Sequence, residues 1–377
     1  MNVSLSTRSV PPILYLVPDV FGPPGGIARY SRLITRALRE SGVGVHIVAL
    51  MDRQGSAAES TIHLPGMAYM PCAGSRPAFI HQAARQALQS RPQLVLAGHV
   101  NFAPLGWALA RLIHVPLVTF LYGIDAWAPL SRVRRNALQR SDRILAISRF
   151  TAGQAVQAND LDPTRLRVLN NCLDPQFELP ALQPRLNAPP SLLTVARMSL
   201  AEQYKGHDVV IRALPELLRR FPDLRYDIVG DGDARPGLEA LAQQMGVAEA
   251  VRFHGLVPED ILRERYAQAS LFIMPSRAEG FGFVFLEAMA HGLAIIGGNV
   301  DATPEVVIHG ETGLLVDPTS PSQVADAVAS LLAAPEQRKR MGAAAQRRVA
   351  EHFSFSRFQH QLVTILGELD SRVSAST

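Results

Sequence analysis

The sequence predicts an α/β protein of two doubly wound, Rossmann-like domains. Short apolar runs alternate with helical stretches along the chain, the pattern of βαβ units and parallel sheets. Several of those runs end in turns carrying Gly, His or Asp, as loops at carboxyl strand ends do. At 377 residues with 47% hydrophobic side chains, the chain also exceeds one ordinary core and fits two domains.

The first strand is Ile13 to Val17, and Ile27 to Glu40 reads as an amphipathic helix with Ile27, Tyr30, Ile34, Ala37 and Leu38 on one side. Between them runs Asp19-Val-Phe-Gly-Pro-Pro-Gly-Gly26, which is not a dinucleotide fingerprint. Gly25 and Gly26 at the helix start can bring backbone amides up to a phosphate. Further strands are predicted at Val45 to Leu50, Leu94 to Ala97, Leu117 to Leu121 and Ile144 to Ile147, with helices around 78 to 90, 101 to 113, 131 to 140 and 150 to 158. Ser148 reads as a helix N-cap.

Prolines at 180, 184, 189 and 190 punctuate a stretch without periodicity, the composition of a linker. The expected organisation is a first domain at 1–178, a linker at 179–190, a second domain at 191–353 and a C-terminal helix at 354–377. Strands of the second domain are predicted at Ser191 to Ala196, Tyr226 to Val229, Val251 to Gly255 and Leu271 to Met274. Asp231 and Asp233 on the turn after Val229 are expected to cap a helix rather than hold a metal. From Ser320 onward the chain reads as helical.

Charge is uneven: residues 1 to 180 carry a net +8 and no lysine, the remainder a net −4, so an anionic partner is expected on the first half. Arg132, Arg134, Arg135, Arg140 and Arg143 crowd one helix and its exit; they form either a solvated face or a patch for anionic lipid headgroups. No aromatic interleaving accompanies them, so no nucleic-acid partner is expected. Cys72 and Cys172 have no metal-ligand spacing and read as small buried hydrophobes. No apolar run of membrane-spanning length and no signal peptide is seen, which predicts a cytoplasmic protein, with peripheral attachment to the inner face of the membrane as the alternative.

The most informative stretch is 270 to 318. A buried strand stops at Pro275, a loop from Arg277 to Gly282 follows, and Phe283 to His291 reads as a helix. Gly280 and Gly282 admit a close ligand, and the amides at the helix start favour a diphosphate by about 0.3 to 2 kcal/mol. Glu279 and Glu287 then present carboxylates, each able to accept two hydroxyl protons of a sugar. Glu287 stands in an otherwise apolar segment, where an unpaired charge is costly. Upstream, Lys205 is one of two lysines among 35 arginines, and a compact ammonium suits a phosphate oxygen, with Arg197 adding a forked donor.

Glu279 and Glu287, framed as PSRAEGFGFVFLEAMAHG, resemble the signature of the retaining family 4 glycosyltransferases, and the resemblance extends over nearly the whole chain. It implies the GT-B architecture: two Rossmann-like domains facing across a cleft, the donor on the second and the acceptor on the first. By resemblance Glu279 contacts the donor sugar, Glu287 the ribose, and Gly280, Phe281, Gly282 and Phe283 line the donor loop. Arg197 and Lys205 match the pair that neutralises the diphosphate, standing in for a metal ion, so no metal or other cofactor is expected. Gly25 and Gly26 occupy the place of the family's glycine loop.

The segment Tyr122-Gly-Ile-Asp-Ala-Trp127 resembles the family's HGxDxW, with Tyr122 where His is common. Asp125 keeps the match and becomes a catalytic or acceptor-side candidate; the role of the missing His cannot be transferred to Tyr122. His99, at the end of the third predicted strand, is placed either to touch an acceptor hydroxyl or to bond a backbone carbonyl. The activity implied is transfer of a mannose- or glucose-type hexose, with retention, from a nucleoside diphosphate sugar to a glycan or lipid-linked saccharide in exopolysaccharide or envelope polysaccharide synthesis. The alternatives are a nucleotide-sugar epimerase of the same architecture and a binding protein for sugars or lipid headgroups.

Overall fold

The computed structural model describes residues 11–22, 25–55, 67–175, 177 and 189–374. They divide into two units, Met1–Asn170 with Phe355–Thr377, and Asn171–Ser354. Of the linker expected at 179–190, all but Pro189 and Pro190 lies outside the described residues.

The first unit is built on seven strands: β1 (Ile13–Val17), β2 (Val45–Ala49), β3 (Ala68–Pro71), β4 (Leu94–Ala97), β5 (Leu117–Leu121), β6 (Arg143–Ala146) and β7 (Leu166–Val168). All pair in parallel in the order β3-β2-β1-β4-β5-β6-β7. Helices cover the sheet: α1 (Gly26–Glu40), α2 (Arg76–Ser90), α3 (Ala103–Ile113), α4 (Arg132–Gln139) and α5 (Arg149–Asn159). Ile, Leu and Val on β1, β4 and β5 are buried on both faces, as a covered parallel sheet requires. Ser148 caps α5 as expected, its hydroxyl accepting from the Thr151 amide at 3.0 Å.

The last helix, Phe355–Ser374, packs within this unit, with the Phe358 ring edge-on to Tyr30 at 5.6 Å and the Gln359 side-chain amide on the Ala37 carbonyl at 3.3 Å. Its Glu368 carboxylate takes both Arg143 and Arg167 at 3.0 Å. Arg143 is therefore no part of a basic surface. It is 1% exposed and its charge is compensated by Glu368, since a buried guanidinium without a partner would be costly. Arg132, Arg134 and Arg140 are exposed, as is Val133 between the first two, while Arg135 is half-buried.

The second unit carries β8 (Ser191–Val195), α6 (His207–Arg220), β9 (Arg225–Val229), α7 (Arg235–Gln244), β10 (Val251–Gly255) and α8 (Glu259–Gln268). It continues with β11 (Leu271–Met274), α9 (Phe283–Ala290), β12 (Ile295–Gly298), α10 (Thr303–Val306), β13 (Gly313–Val316), α11 (Pro321–Ala333) and α12 (Pro335–His352). Its six parallel strands run β10-β9-β8-β11-β12-β13 around a core that includes Leu192, Ile228, Ile273, Ile296 and Val328. Strand order reverses between β1 and β4 in one sheet and between β8 and β11 in the other. In open α/β sheets ligands bind outside the carboxyl ends at such reversals. Gly25 and Gly26, His99, Lys205 and Glu279 follow those four strands, while Tyr122 and Asp125 follow the neighbouring β5.

Candidate active site

In the second unit the loops after β8 and β11 are joined by both backbone and side chains. The Arg277 amide donates to the Tyr204 carbonyl at 2.9 Å, and Gly206, at φ +81°, lies so close to the Pro275 carbonyl that a Cβ would sit 2.4 Å from its oxygen. This close approach brings Lys205 to Glu279, Nζ to Oε2, at 2.5 Å. The ammonium also lies over the Tyr204 ring, 5.2 Å from its centroid. Burial works against the Lys205 charge, but the attraction of Glu279 and Tyr204 outweighs it and holds the group above the ordinary lysine range.

Asp301 holds the backbone of Glu279. Its Oδ2 accepts from the Glu279 amide at 2.6 Å and its Oδ1 from the Thr303 amide at 2.9 Å. The side chain is 5% exposed, and burial raises its pKa despite these bonds. Arg197 stands apart from the ion pair: 63% exposed, it is bonded to Glu202. Asp231 and Asp233 do not cap α7; Asp233 instead accepts from the Leu200 amide at 2.7 Å and so shapes the turn before Lys205.

Gly282 opens α9 at φ +86°, and a Cβ there would lie 2.6 Å from the Phe285 ring, so this turn requires glycine. As a glycine, Gly282 brings no side-chain cap to the first turn of α9. Gly280 is buried, and Phe283 is half-buried. Phe281 is a core residue, fully buried with its ring edge-on to Phe353 at 5.5 Å, so what it offers the loop is backbone. Glu287 is 5% exposed, and the Tyr266 hydroxyl donates to its Oε2 at 2.7 Å. Tyr266, 21 positions upstream on α8, is the partner that sequence reasoning missed.

In the first unit His99, Tyr122 and Asp125 come together at the ends of β4 and β5. The Asp125 carboxylate accepts from the Tyr122 amide at 3.1 and 3.3 Å, and its Oδ2 lies 3.9 Å from His99 Nε2. His99 Nδ1 accepts from the Asn101 amide at 3.1 Å, so in the neutral ring Nε2 carries the hydrogen, facing Asp125. Burial, with the charge of Arg134 adding, lowers the His99 pKa to about 4. Burial raises that of Asp125 to about 7, against the pull of backbone amides.

The Tyr122 ring stacks on His99 at 6.2 Å and meets Tyr30 edge-on at 5.4 Å, while its hydroxyl is buried inside the unit. Tyr122 is therefore a support for His99 and offers no exposed hydroxyl to an acceptor. Gly25 and Gly26 are exposed at the start of α1, following the loop after β1. That loop is held by a residue the sequence did not flag. Asp52, 2% exposed, accepts through Oδ2 from Val20 N at 2.8 Å, Phe21 N at 3.2 Å and the Tyr69 hydroxyl at 2.6 Å. Among the described residues no group of three or more His, Cys, Asp or Glu side chains is placed to hold a metal ion, and no helix is long and apolar enough to cross a membrane.

Two family models match the chain, "Glycosyltransferase Family 4" over residues 24–177 and "Glycosyl transferases group 1" over residues 182–348. Among curated relatives, the D-inositol 3-phosphate glycosyltransferase of Streptomyces scabiei is 31% identical over 66% of this chain and 61% of its own length. The GDP-mannose-dependent alpha-(1-6)-phosphatidylinositol monomannoside mannosyltransferase of Mycolicibacterium smegmatis is 42% identical over 37% of this chain and 38% of its own. The matched stretches thus span less than two thirds of these relatives. Among solved structures, Anabaena Alr3699/HepE in complex with UDP superposes with a TM-score of 0.79 at 20% identity, covering 95% of this chain and all of that one. Sucrose-phosphate synthase from Thermosynechococcus elongatus gives 0.75 at 21% identity, over 97% and 100% of the two chains. The two Rossmann-like units have the GT-B fold, and the chain belongs to the family 4, group 1 glycosyltransferases.

Proposed function

We propose that this chain transfers a mannose- or glucose-type hexose from a nucleoside diphosphate sugar to a glycan or lipid-linked saccharide, with retention at the anomeric carbon, in exopolysaccharide or envelope polysaccharide synthesis. The observation that carries the proposal is the Lys205–Glu279 ion pair at the strand-order reversal of the second sheet, with the buried Glu287 on the helix that follows the Glu279 loop. An ammonium and a carboxylate held within one bond can serve the two halves of one donor. Lys205 takes a diphosphate oxygen and Glu279 the sugar hydroxyls, with Arg197 recruited from its exposed position and the amides of α9 completing the anion site. Stabilising the leaving diphosphate by such preplaced charges is the electrostatic part of the catalysis, and the role needs no metal ion.

The named ligands of similar proteins support a nucleotide-sugar donor: one relative is named as GDP-mannose-dependent, and HepE is described in complex with UDP-glucose. On the first unit, Asp125 and His99 are the groups we assign to the acceptor hydroxyl. The exposed Arg132, Arg134 and Arg140 we assign to an anionic membrane surface presenting that acceptor, placing the protein peripherally on the inner face.

The test is incubation of the chain with each of several nucleoside diphosphate sugars and a bacterial lipid extract. Free nucleoside diphosphate and a glycosylated lipid of the donor's anomeric configuration are expected. An inverted product would contradict retention; an isomerised sugar nucleotide with no transfer would point to an epimerase, and binding without release to a non-catalytic protein.

A further inference from the structure

We propose that Tyr266 is a positioning residue for the donor nucleotide, acting through Glu287. The inference rests on the reading that this unit binds a nucleoside diphosphate sugar. Tyr266 lies on α8, fully buried, and its hydroxyl donates to Glu287 Oε2 at 2.7 Å. Its ring stacks on His291 with centroids 5.1 Å apart and planes 19° apart. His291 Nδ1 is in turn 2.9 Å from the backbone carbonyl of Glu287, and because a carbonyl only accepts, that nitrogen carries the hydrogen. The contacts close a circuit from the Glu287 backbone through His291 and Tyr266 back to the Glu287 carboxylate.

A carboxylate on a helix has several accessible rotamers, and each one not used in binding costs affinity. The phenol selects one of them and fixes the carboxylate plane, so the ribose hydroxyls meet a group already aimed. The bond also matches the burial of Glu287, since a carboxyl group this enclosed requires hydrogen-bond partners. A tyrosine retained only for packing would be equally well served by phenylalanine.

The experiment is a calorimetric titration of UDP and GDP into the native chain, Tyr266→Phe, Glu287→Gln and the double variant, with kcat and donor KM measured alongside. For the nucleotide that the native chain binds, Tyr266→Phe is expected to weaken affinity about 3- to 10-fold and to raise donor KM in step, with kcat at saturating donor unchanged. In the Glu287→Gln background the same substitution should change nothing further, because the two residues act as one unit. Native affinity in Tyr266→Phe, or an equal loss in both backgrounds, would overturn the proposal. If Tyr266→Phe alone does not fold, the decision passes to Glu287→Gln against the double variant, where position 287 carries a neutral side chain in both: equal affinities support the proposal and a further loss overturns it. Failure of both nucleotides to bind the native chain defeats the nucleotide reading itself, and this inference with it.

Discussion

Lys205 Nζ and Glu279 Oε2 meet at 2.5 Å, and this bond joins the loop after β8 to the loop after β11 at the point where the strand order of the second sheet reverses. Both side chains are largely enclosed, 15% and 13% exposed, so the pair keeps more of its strength than a surface bridge. Lys205→Ala is expected to weaken nucleoside diphosphate binding by about 2 to 5 kcal/mol while leaving the affinity for the uncharged nucleoside unchanged. Calorimetric titration of both ligands checks it. Equal losses for the two would show a general collapse of the site instead of a lost phosphate contact.

The His99–Asp125 pair predicts opposing pH dependences. Asp125 ionises near 7 in the folded chain against 3.8 ordinarily, so between those values the folded state holds a proton that the unfolded state has lost. Its contribution to stability therefore falls as pH rises from about 4 to about 7. His99 does the reverse: with its pKa lowered from 6.5 to about 4, the unfolded chain takes up a proton that the folded chain excludes, so stability falls as pH drops through that window. In the native chain the two slopes offset each other. Asp125→Asn removes one of them, and its melting temperature should rise with pH between about 4 and 6.5 more steeply than that of the native chain, the difference amounting to about 3 kcal/mol. Parallel curves would contradict the assignment.

Asp52 gathers the Val20 and Phe21 amides and the Tyr69 hydroxyl on one buried oxygen. Asp52→Ala strands these donors and is expected to cost about 1 to 3 kcal/mol, seen as a lower midpoint in chemical denaturation. Asp52→Asn, which keeps an acceptor oxygen, should recover much of the loss. A midpoint unchanged in Asp52→Ala would show that water serves the loop as well as the carboxylate does.

Arg132 and Arg134 are exposed on α4 beside the exposed Val133. Replacing both with Ala should weaken sedimentation with phosphatidylglycerol-containing vesicles by roughly 1 kcal/mol per arginine, an effect that added salt diminishes. Arg143, bonded to Glu368, should make no difference to vesicle binding. Identical vesicle binding by the native chain and the double variant would remove the membrane assignment.

Much of the architecture was legible because the buried strands are short Leu, Ile and Val runs bounded by turn residues, as at Leu271–Met274. The strands not predicted are those whose composition hides them. β3 ends in Pro71 at the sheet edge, β7 has three residues with Arg167 in the middle, β12 ends in two glycines and β13 begins with one. At the site, Glu279, Glu287 and Lys205 stood out by spacing or rarity, while their supports did not. Tyr266 on α8 has no distinguishing local pattern, and the Asp52 partners Val20 and Phe21 lie 32 and 31 positions away. Arg143 was grouped with its sequence neighbours on α4 because its partner Glu368 is 225 positions on. Contacts of this range are set by tertiary packing, which local periodicity does not encode.

The most direct test of the central claim is the thermal stability of the native chain, Glu287→Ala and Lys205→Ala against UDP-, GDP-, ADP- and dTDP-sugars. The account predicts that one nucleotide series at about 100 times its dissociation constant adds roughly 2.7 kcal/mol to the native chain and that both variants lose the shift. Stabilisation by none of the four series, or an undiminished shift in both variants, would contradict a donor site built on Lys205, Glu279 and Glu287.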